Sequence, residues 1–301
     1  MSTADGSPLP PIPGTVTIPT FNVTSTPAGN ISIPSSLPFY YAGIQTIWLY
    51  WRVDLPLLST YLNPLGMTPV SFGGSGLVGI NFFNAVAQYG VGFPGNQGGA
   101  GFNETEVCIM ASATSVASKV PSNLTVAGFL TEGEQTKRVG AYRVWVACDS
   151  PVAIAAGIQL FFENKFLTSY SYNVPALNNP GQTLHTWSCM DSATPSQEIY
   201  KATVSLAGLN SVPGNMSEWI DLSYVASAKR VAGSRRNYFG MYDTYLLAPS
   251  QAAAVAVTMG TSTHQMRLDM DALIGTRPAV AIQTFRSQPC IAEASAYWAD
   301  L

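Results

Sequence analysis

The stretch Val139–Phe166, VGAYRVWVACDSPVAIAAGIQLFFENKF, constrains the fold of this 301-residue chain more than any other part. Its first half alternates in polarity, with Val144 and Val146 on one side and Arg143 and Trp145 on the other. A period of two is typical of a β-strand. The sequence therefore predicts a strand that leads into the rest of this stretch.

A short buried helix is predicted to follow the strand. Asp149 and Ser150 suit an N-cap and Pro151 suits a first helical turn, so the apolar run from Val152 to Phe162 is predicted to be helical. Gly157 lies inside this run, where a glycine costs about 1 kcal/mol relative to alanine. Close packing of Gly157 against another element explains its presence better than helix propensity does.

The helix is predicted to end at Asn164, which leaves Lys165 beside Phe161, Phe162 and Phe166 at the edge of a very apolar segment. Burial lowers the pKa of a lysine, and only the neutral amine is a nucleophile. A helix C-terminus acts in the opposite direction, because it favours the ammonium. Lys165 is thus either a buried nucleophile or a surface lysine that caps helix carbonyls.

This order of strand, Asp-x-Pro turn, apolar helix and lysine resembles the acetoacetate decarboxylase superfamily. The resemblance implies that Lys165 is the Schiff-base nucleophile. The family's second lysine, which helps to lower the pKa of the first, is replaced by Phe166. The arginine and glutamate that follow the family's glycine are replaced by Ile158 and Gln159, after Gly157.

Other segments resemble the family in the same order along the chain. The motif WRVD ends at Asp54 and is followed by NPL, which begins at Asn63. A family arginine upstream of that motif is replaced by Ile44. The triplet FNE matches an aromatic-x-Glu motif whose glutamate faces the cavity, and this implies a general acid/base role for Glu104, with Glu106 as the alternative register.

The resemblance implies a mainly β fold, an acetoacetate decarboxylase-like β-barrel with a few short peripheral helices (α+β). We expect one such domain over residues 37–301. Residues 1–36 are rich in Pro, Ser and Thr and nearly free of charge, which predicts an extended N-terminal arm.

Composition argues against several classes of protein. A formal charge of −3 provides no basic surface for nucleic acid. No apolar run approaches the roughly 18 residues of a membrane span, and the first residues do not resemble a signal peptide, so we expect a cytoplasmic protein without a membrane partner.

Only 10% of residues are charged, which predicts a homo-oligomer with buried surface between subunits. His185 and His264 lack partners at ligand spacing, so neither a metal nor another cofactor is predicted.

The predicted function is that of a lyase that forms a Schiff base with an apolar ketone or aldehyde, for decarboxylation, aldol or retro-aldol reaction, dehydration or cyclisation. The predicted context is secondary metabolism. Since isoleucines replace both family arginines, a substrate carboxylate would lack a cation, so acetoacetate is expected to bind badly. A non-catalytic small-molecule binding protein and a structural assembly protein are the alternatives. The residues expected to line an apolar substrate site are Tyr41, Ile44, Trp48, Ile158, Phe161, Phe162 and Phe166.

Overall fold

The structure is a computed structural model, and its described residues are 16–23, 31–37, 39–88, 100–134, 136–175, 182–214, 218–238, 241–287, 291–293 and 297–300. Their strands form a two-stranded, a four-stranded and a thirteen-stranded sheet. The mainly β prediction is confirmed.

The described part of the predicted N-terminal arm is a hairpin. Strand β1 (Val16–Val23) pairs antiparallel with β2 (Ile31–Leu37). β1 contacts the helix Pro151–Phe161 of the same chain. Residues 1–15 and 24–30 of the arm lie outside the described residues. The arm is therefore more structured over these two segments than the composition predicts.

The first half of the large sheet comes from long strands joined by short helices. These elements are β3 (Phe39–Val53), α1 (Leu55–Leu62), β4 (Met67–Pro69), β5 (Gly76–Gln88), β6 (Ala100–Ala113) and α2 (Val126–Glu132). Single 3₁₀ segments follow α1 and β6, at Asn63–Leu65 and Thr114–Lys119.

The central stretch forms β7 (Gly140–Cys148), α3 (Pro151–Phe161) and β8 (Lys165–Leu167). The Ser150 side chain accepts the first-turn N–H of Ala153, as expected of an N-cap. The helix ends before the predicted Asn164, because Phe162 adopts a left-handed backbone conformation (φ 57°). Asn164 instead donates its side-chain N–H to the carbonyl of Val144 at 2.9 Å.

The remaining elements complete both sheets. They are β9 (Ser169–Asn173), β10 (Leu184–Met190), β11 (Glu198–Ser205), β12 (Val212–Gly214), β13 (Glu218–Val225), β14 (Arg230–Tyr238), β15 (Tyr242–Leu246), a 3₁₀ segment (Pro249–Ala254), β16 (Val255–Met259), α4 (Gln265–Leu273), β17 (Ala279–Ser287), β18 (Ile291–Glu293) and β19 (Tyr297–Trp298).

Strand pairing in the large sheet returns to its starting point. β3 pairs with β5, β5 with β6, β6 with β7, and β7 with β13. β13 pairs with β14, β14 with the short β18, and β18 with β3. We call the strands of this ring of pairings the barrel wall.

Alternate residues of the barrel wall pack into two different cores. The α3 core contains residues from the wall and from α3, such as Trp48, Cys148 and Phe161. The β10 core contains Leu49 and Trp187 among others, because the four-stranded sheet β16-β11-β10-β9 covers the other face of the wall. Strands β3, β5, β6 and β7 thus separate two environments.

Candidate active site

A β-bulge in β7 decides which way Arg143 points. Val107 pairs with Trp145 and Cys108 pairs with Arg143, so Val144 is an extra residue without a counterpart in β6. Trp145 packs against the β10 core, whereas Arg143 forms ion pairs on the opposite face. The prediction that Arg143 and Trp145 lie on the same side of the strand is therefore wrong. The inserted Val144 makes their side chains point to opposite faces.

The side chain of Lys165 points inward from β8. This strand runs parallel to β7, with Lys165 opposite Val146, and the lysine side chain is only 5% exposed. A β-carbon at Gly157 would come within 2.7 Å of Lys165 Cδ and would also clash with the carboxylate of Glu163. The close packing expected at Gly157 is therefore made by these two side chains.

Lys165 contacts two carboxylates. Its Nζ forms a close ion pair with Glu104 Oε2 and lies 3.1 Å from Glu163 Oε2. Glu104 and Glu106 are two residues apart in β6 and so share a face of the strand, but Glu106 is held elsewhere by Asn81 Nδ2 at 2.7 Å. The structure thus brings the two predicted catalytic residues together and selects Glu104, rather than Glu106, as the partner of Lys165.

Arg143 forms a second layer behind Lys165. Its Nη1 lies 2.7 Å from Glu163 Oε1, 3.4 Å from Asp221 Oδ2 and 3.7 Å from Glu106 Oε1. All of these side chains are buried. We call the resulting six residues the buried charge cluster: Glu104, Glu106, Arg143, Glu163, Lys165 and Asp221.

Sequence reasoning missed Arg143, Glu163 and Asp221 as site residues. A usable signal exists for two of them, because Arg143 and Asp221 are single charges within the apolar strand segments YRVWVA and WIDLSY. Charged residues in such positions are rarely buried unless they are paired. The sequence alone does not show which charges pair.

The pKa values of the central pair follow from burial and from neighbouring charges. Burial raises the pKa of Glu104 to about 7, and Lys165 opposes that rise only in part. Burial lowers the pKa of Lys165, but the carboxylates of Glu104 and Glu163 outweigh it and hold this pKa well above its usual value. The lowered lysine pKa expected from the phenylalanines is therefore not found, since two carboxylates lie in contact with the amine.

Four of the predicted substrate-binding residues share one environment. Tyr41, Ile44, Trp48 and Phe161 are all buried members of the α3 core, which also contains Cys148, the strand partner of Glu104. They provide apolar surroundings on the same face of the wall as the buried charge cluster.

The other three predicted substrate-binding residues lie elsewhere. Phe166 follows Lys165 in β8 and so points to the opposite face, where its ring stacks on His264 with centroids 4.3 Å apart. Ile158 and Phe162 are 46% and 40% exposed. These two are exposed on α3 and at its left-handed end, and they are not members of the α3 core.

The described part of the chain lacks two kinds of feature. No group of three or more His, Cys, Asp or Glu side chains there is arranged to hold a metal ion. None of the helices within these ranges is long and apolar enough to cross a membrane.

Comparison with known proteins identifies the fold. No family model and no curated protein sequence matches the chain. Among solved structures, the enduracididine biosynthesis enzyme MppR complexed with pyruvate has a TM-score of 0.56 at 12% identity, covering 87% of this chain and 90% of MppR.

Two further structures agree with this comparison. Acetoacetate decarboxylase from Legionella pneumophila has a TM-score of 0.54 at 10% identity, covering 91% of this chain and 92% of that chain. An acetoacetate decarboxylase-like enzyme from Sphingomonas wittichii has a TM-score of 0.54 at 12% identity, covering 87% and 92%. The protein therefore has the acetoacetate decarboxylase-like fold, at a sequence identity of 10–12% to these structures.

Proposed function

We propose that this protein is a lyase in which Lys165 forms a Schiff base with an uncharged ketone or aldehyde. The observation that carries the proposal is the buried contact between Lys165 and Glu104, within the fold of acetoacetate decarboxylase-like enzymes. The contact supports the proposal because a lysine nucleophile needs a neighbouring group that can accept its proton, and Glu104 is in contact with the amine.

Glu104 supplies the proton transfers that imine formation needs. The ammonium of Lys165 passes a proton to Glu104, whose pKa of about 7 is high for a carboxyl group. The free amine then adds to the carbonyl carbon and forms a carbinolamine. Glu104 returns the proton to the departing hydroxyl group, which leaves as water, and the iminium remains on Lys165.

The charge balance of the site favours an uncharged substrate. The buried charge cluster contains four carboxylates and two cations, and Arg143 is already within 4 Å of three of those carboxylates. A substrate carboxylate would add a negative charge with no cation left to receive it, at a cost of several kcal/mol. Acetoacetate is therefore a poor fit, whereas Tyr41, Ile44, Trp48 and Phe161 suit an apolar carbonyl compound.

Imine chemistry on such a substrate supports aldol or retro-aldol reaction, dehydration or cyclisation more readily than loss of carbon dioxide. MppR has also been solved with the condensation product of pyruvate and imidazole 4-carboxaldehyde, at a TM-score of 0.52 to this chain. Carbonyl condensation is thus compatible with the fold. A place in secondary metabolism remains part of this proposal.

Imine trapping tests the proposal directly. The protein is incubated with a panel of apolar aldehydes and ketones plus sodium borohydride, and the peptides are analysed by mass spectrometry. We expect a reduced adduct on the Lys165 peptide that is lost in Lys165→Ala and kept in Lys201→Ala, a matched change at an exposed lysine of β11. Labelling that does not depend on Lys165 would contradict the proposal.

One observation favours the alternative of a non-catalytic binding protein. At rest Lys165 is an ammonium held between two carboxylates, which is a satisfied ion pair rather than a free amine. Calorimetric binding of the same apolar compounds without any trapped adduct would favour this alternative. If acetoacetate at millimolar concentration released carbon dioxide in a reaction that requires Lys165, the site would accept a charged substrate, contrary to the proposal.

The predicted homo-oligomer is a separate proposal that rests on the sparse charge of the chain. Light scattering at micromolar concentration is its test. A monomeric mass would remove its basis without touching the proposed chemistry.

A further inference from the structure

The two carboxylates that touch Lys165 differ in their other contacts. Glu163 is shared, since its Oε2 lies 3.1 Å from Lys165 Nζ while its Oε1 lies 2.7 Å from Arg143 Nη1. Glu104 has Lys165 as its one cationic partner among the described residues. A proton placed on Glu163 would weaken two ion pairs, whereas a proton placed on Glu104 would weaken one.

From this asymmetry we infer that Arg143 is a positioning residue, which fixes the negative charge on Glu163 and so leaves Glu104 as the carboxylate that takes the Lys165 proton. The inference rests on the proposed function, because the proton matters only if the amine of Lys165 must become free.

The physical basis is the permanence of the guanidinium charge. Arginine does not deprotonate in proteins, so Arg143 keeps a fixed positive charge beside Glu163 at any working pH. All three side chains are buried, and water therefore screens this interaction only weakly. Lys165 cannot replace Arg143 in this role, since it is the group that loses its proton.

The other charged and titratable groups near the pair do not remove the asymmetry. From the packed elements these groups are Glu104 and Glu106 of β6, Arg143 and Cys148 of β7, Glu163 before β8, and Asp221 of β13. Glu106 and Asp221 are ion-paired with Arg143, and Asn81 also donates to Glu106. The raised pKa of Glu104, about 7, agrees with a carboxyl group that is free to accept a proton.

The Val144 bulge is what makes this arrangement possible. Without the inserted residue, Arg143 would lie on the same face of β7 as Trp145, against the β10 core. The bulge turns the guanidinium to the face on which Glu163 and Lys165 meet. One extra residue in a strand thus distinguishes two otherwise similar carboxylates.

Carbon-13 NMR of the protein labelled at its glutamate carboxyl carbons tests which carboxylate takes the proton. In the wild type we expect one carboxyl resonance to titrate with a midpoint near pH 7, well above the ordinary value of 4.5. Glu104→Gln should abolish this titration. Glu163→Gln should keep it, with the midpoint displaced downward, because the negative charge of Glu163 contributes to the raised pKa. The reverse pattern, lost in Glu163→Gln and kept in Glu104→Gln, would overturn the inference.

A second comparison isolates Arg143. In the Glu104→Gln background, Arg143→Gln should move a glutamate carboxyl titration to higher pH, since Glu163 is released from its guanidinium, whereas Arg143→Lys should not. Unchanged titrations in both double variants would show that Arg143 does not hold Glu163. If Arg143→Gln fails to fold by circular dichroism, the comparison of Glu104→Gln with Glu163→Gln still decides between the two carboxylates.

The two levels of proposal fail separately. The NMR titration needs no carbonyl compound, so a Glu104 midpoint near pH 7 without any trapped adduct would contradict the proposed function alone. A Lys165 adduct in a protein whose titrating group is Glu163 would contradict only the role of Arg143.

Discussion

The two faces of the barrel wall bury polar groups in different ways. The β10 side buries a network of neutral groups: Trp187 Nε1 donates to the Tyr200 hydroxyl at 2.8 Å, and this hydroxyl also bonds to Thr105 Oγ1 at 2.6 Å. Thr105 lies between Glu104 and Glu106 in β6, and those two neighbours belong to the buried charge cluster on the other face. A single strand therefore supplies both environments.

This difference distinguishes buried groups that stabilise the fold from buried groups that are suited to chemical reactions. Neutral hydrogen bonds within an apolar core satisfy their donors at little net cost. A buried ion cluster requires that several charges leave water, and apolar replacements of such clusters are often as stable or more stable. The charged face thus carries groups that stability alone does not require, which is expected of a reactive site.

The largest effect on stability is expected from a substitution in the neutral network on the β10 side. Trp187 is 1% exposed and stacks on Phe82 with centroids 5.3 Å apart. Trp187→Ala should lower the free energy of unfolding by about 3 to 5 kcal/mol, measured by urea denaturation. The Glu104 carboxyl titration should stay in place, because the wall separates the two faces. A displaced midpoint would show that the two faces are energetically coupled.

A smaller loss of stability with a larger loss of reactivity is expected at Gly157. An added β-carbon would meet the Glu163 carboxylate and Lys165 Cδ, so Gly157→Ala should cost about 1 to 3 kcal/mol. Displacement of Lys165 should also slow imine trapping roughly 10-fold or more.

Gly128→Ala is the matched control for Gly157→Ala. Gly128 is also helical, but a β-carbon there would approach only Thr125 Oγ1, at 3.2 Å. We expect unchanged trapping and a stability change of at most about 1 kcal/mol. Equal losses of trapping in the two variants would mean that the clash at the charge cluster is irrelevant.

The pH dependence of stability should identify the charged face. Since burial raises the pKa of Glu104 from 4.5 to about 7, its protonated form stabilises the fold fully below pH 4.5, and this contribution is lost as the pH rises to about 7. Relative to Glu104→Gln, the wild type should therefore lose stability over that window, with a slope that approaches about 1.4 kcal/mol per pH unit. Parallel curves from urea denaturation at each pH would contradict the raised pKa.

The smallest effect is expected at Ile158, where the resemblance places a family arginine. Because Ile158 is largely exposed on α3, Ile158→Arg should change stability by no more than about 0.5 kcal/mol. It should also leave imine trapping unchanged and confer no acetoacetate decarboxylation. Carbon dioxide release by this variant would show that the α3 surface belongs to the substrate site after all.

Much of the scaffold was predictable because its signals are local. The Ser150 cap, the Pro151 first turn and the apolar run of α3 lie next to each other in sequence. The order of motifs also resembled the family closely enough to pair Lys165 with Glu104, which the structure places in contact. The end of α3 was predicted less well, because the left-handed Phe162 is a conformation that sequence rarely signals.

The electrostatic character of the site was not predictable in the same way. The phenylalanines around Lys165 suggested a lowered pKa, but the pKa is raised because Glu104 and Glu163 are in contact with the amine. Phe166 was expected in the site and lies on the opposite face, since neighbours in a strand alternate. Each of these outcomes depends on which side chains meet in space.

A β-rich fold with a capped apolar helix, and a lysine after this helix, can be inferred from the sequence alone. The tertiary structure is needed to place Arg143 in the buried charge cluster, because a period-two pattern cannot reveal the extra Val144 that reverses the direction of its side chain. It also decided the charge of the site, since Glu104, Arg143, Lys165 and Asp221 come from different strands. Coulomb energy depends on distance in space and on burial, and neither quantity is contained in the order of residues along a chain.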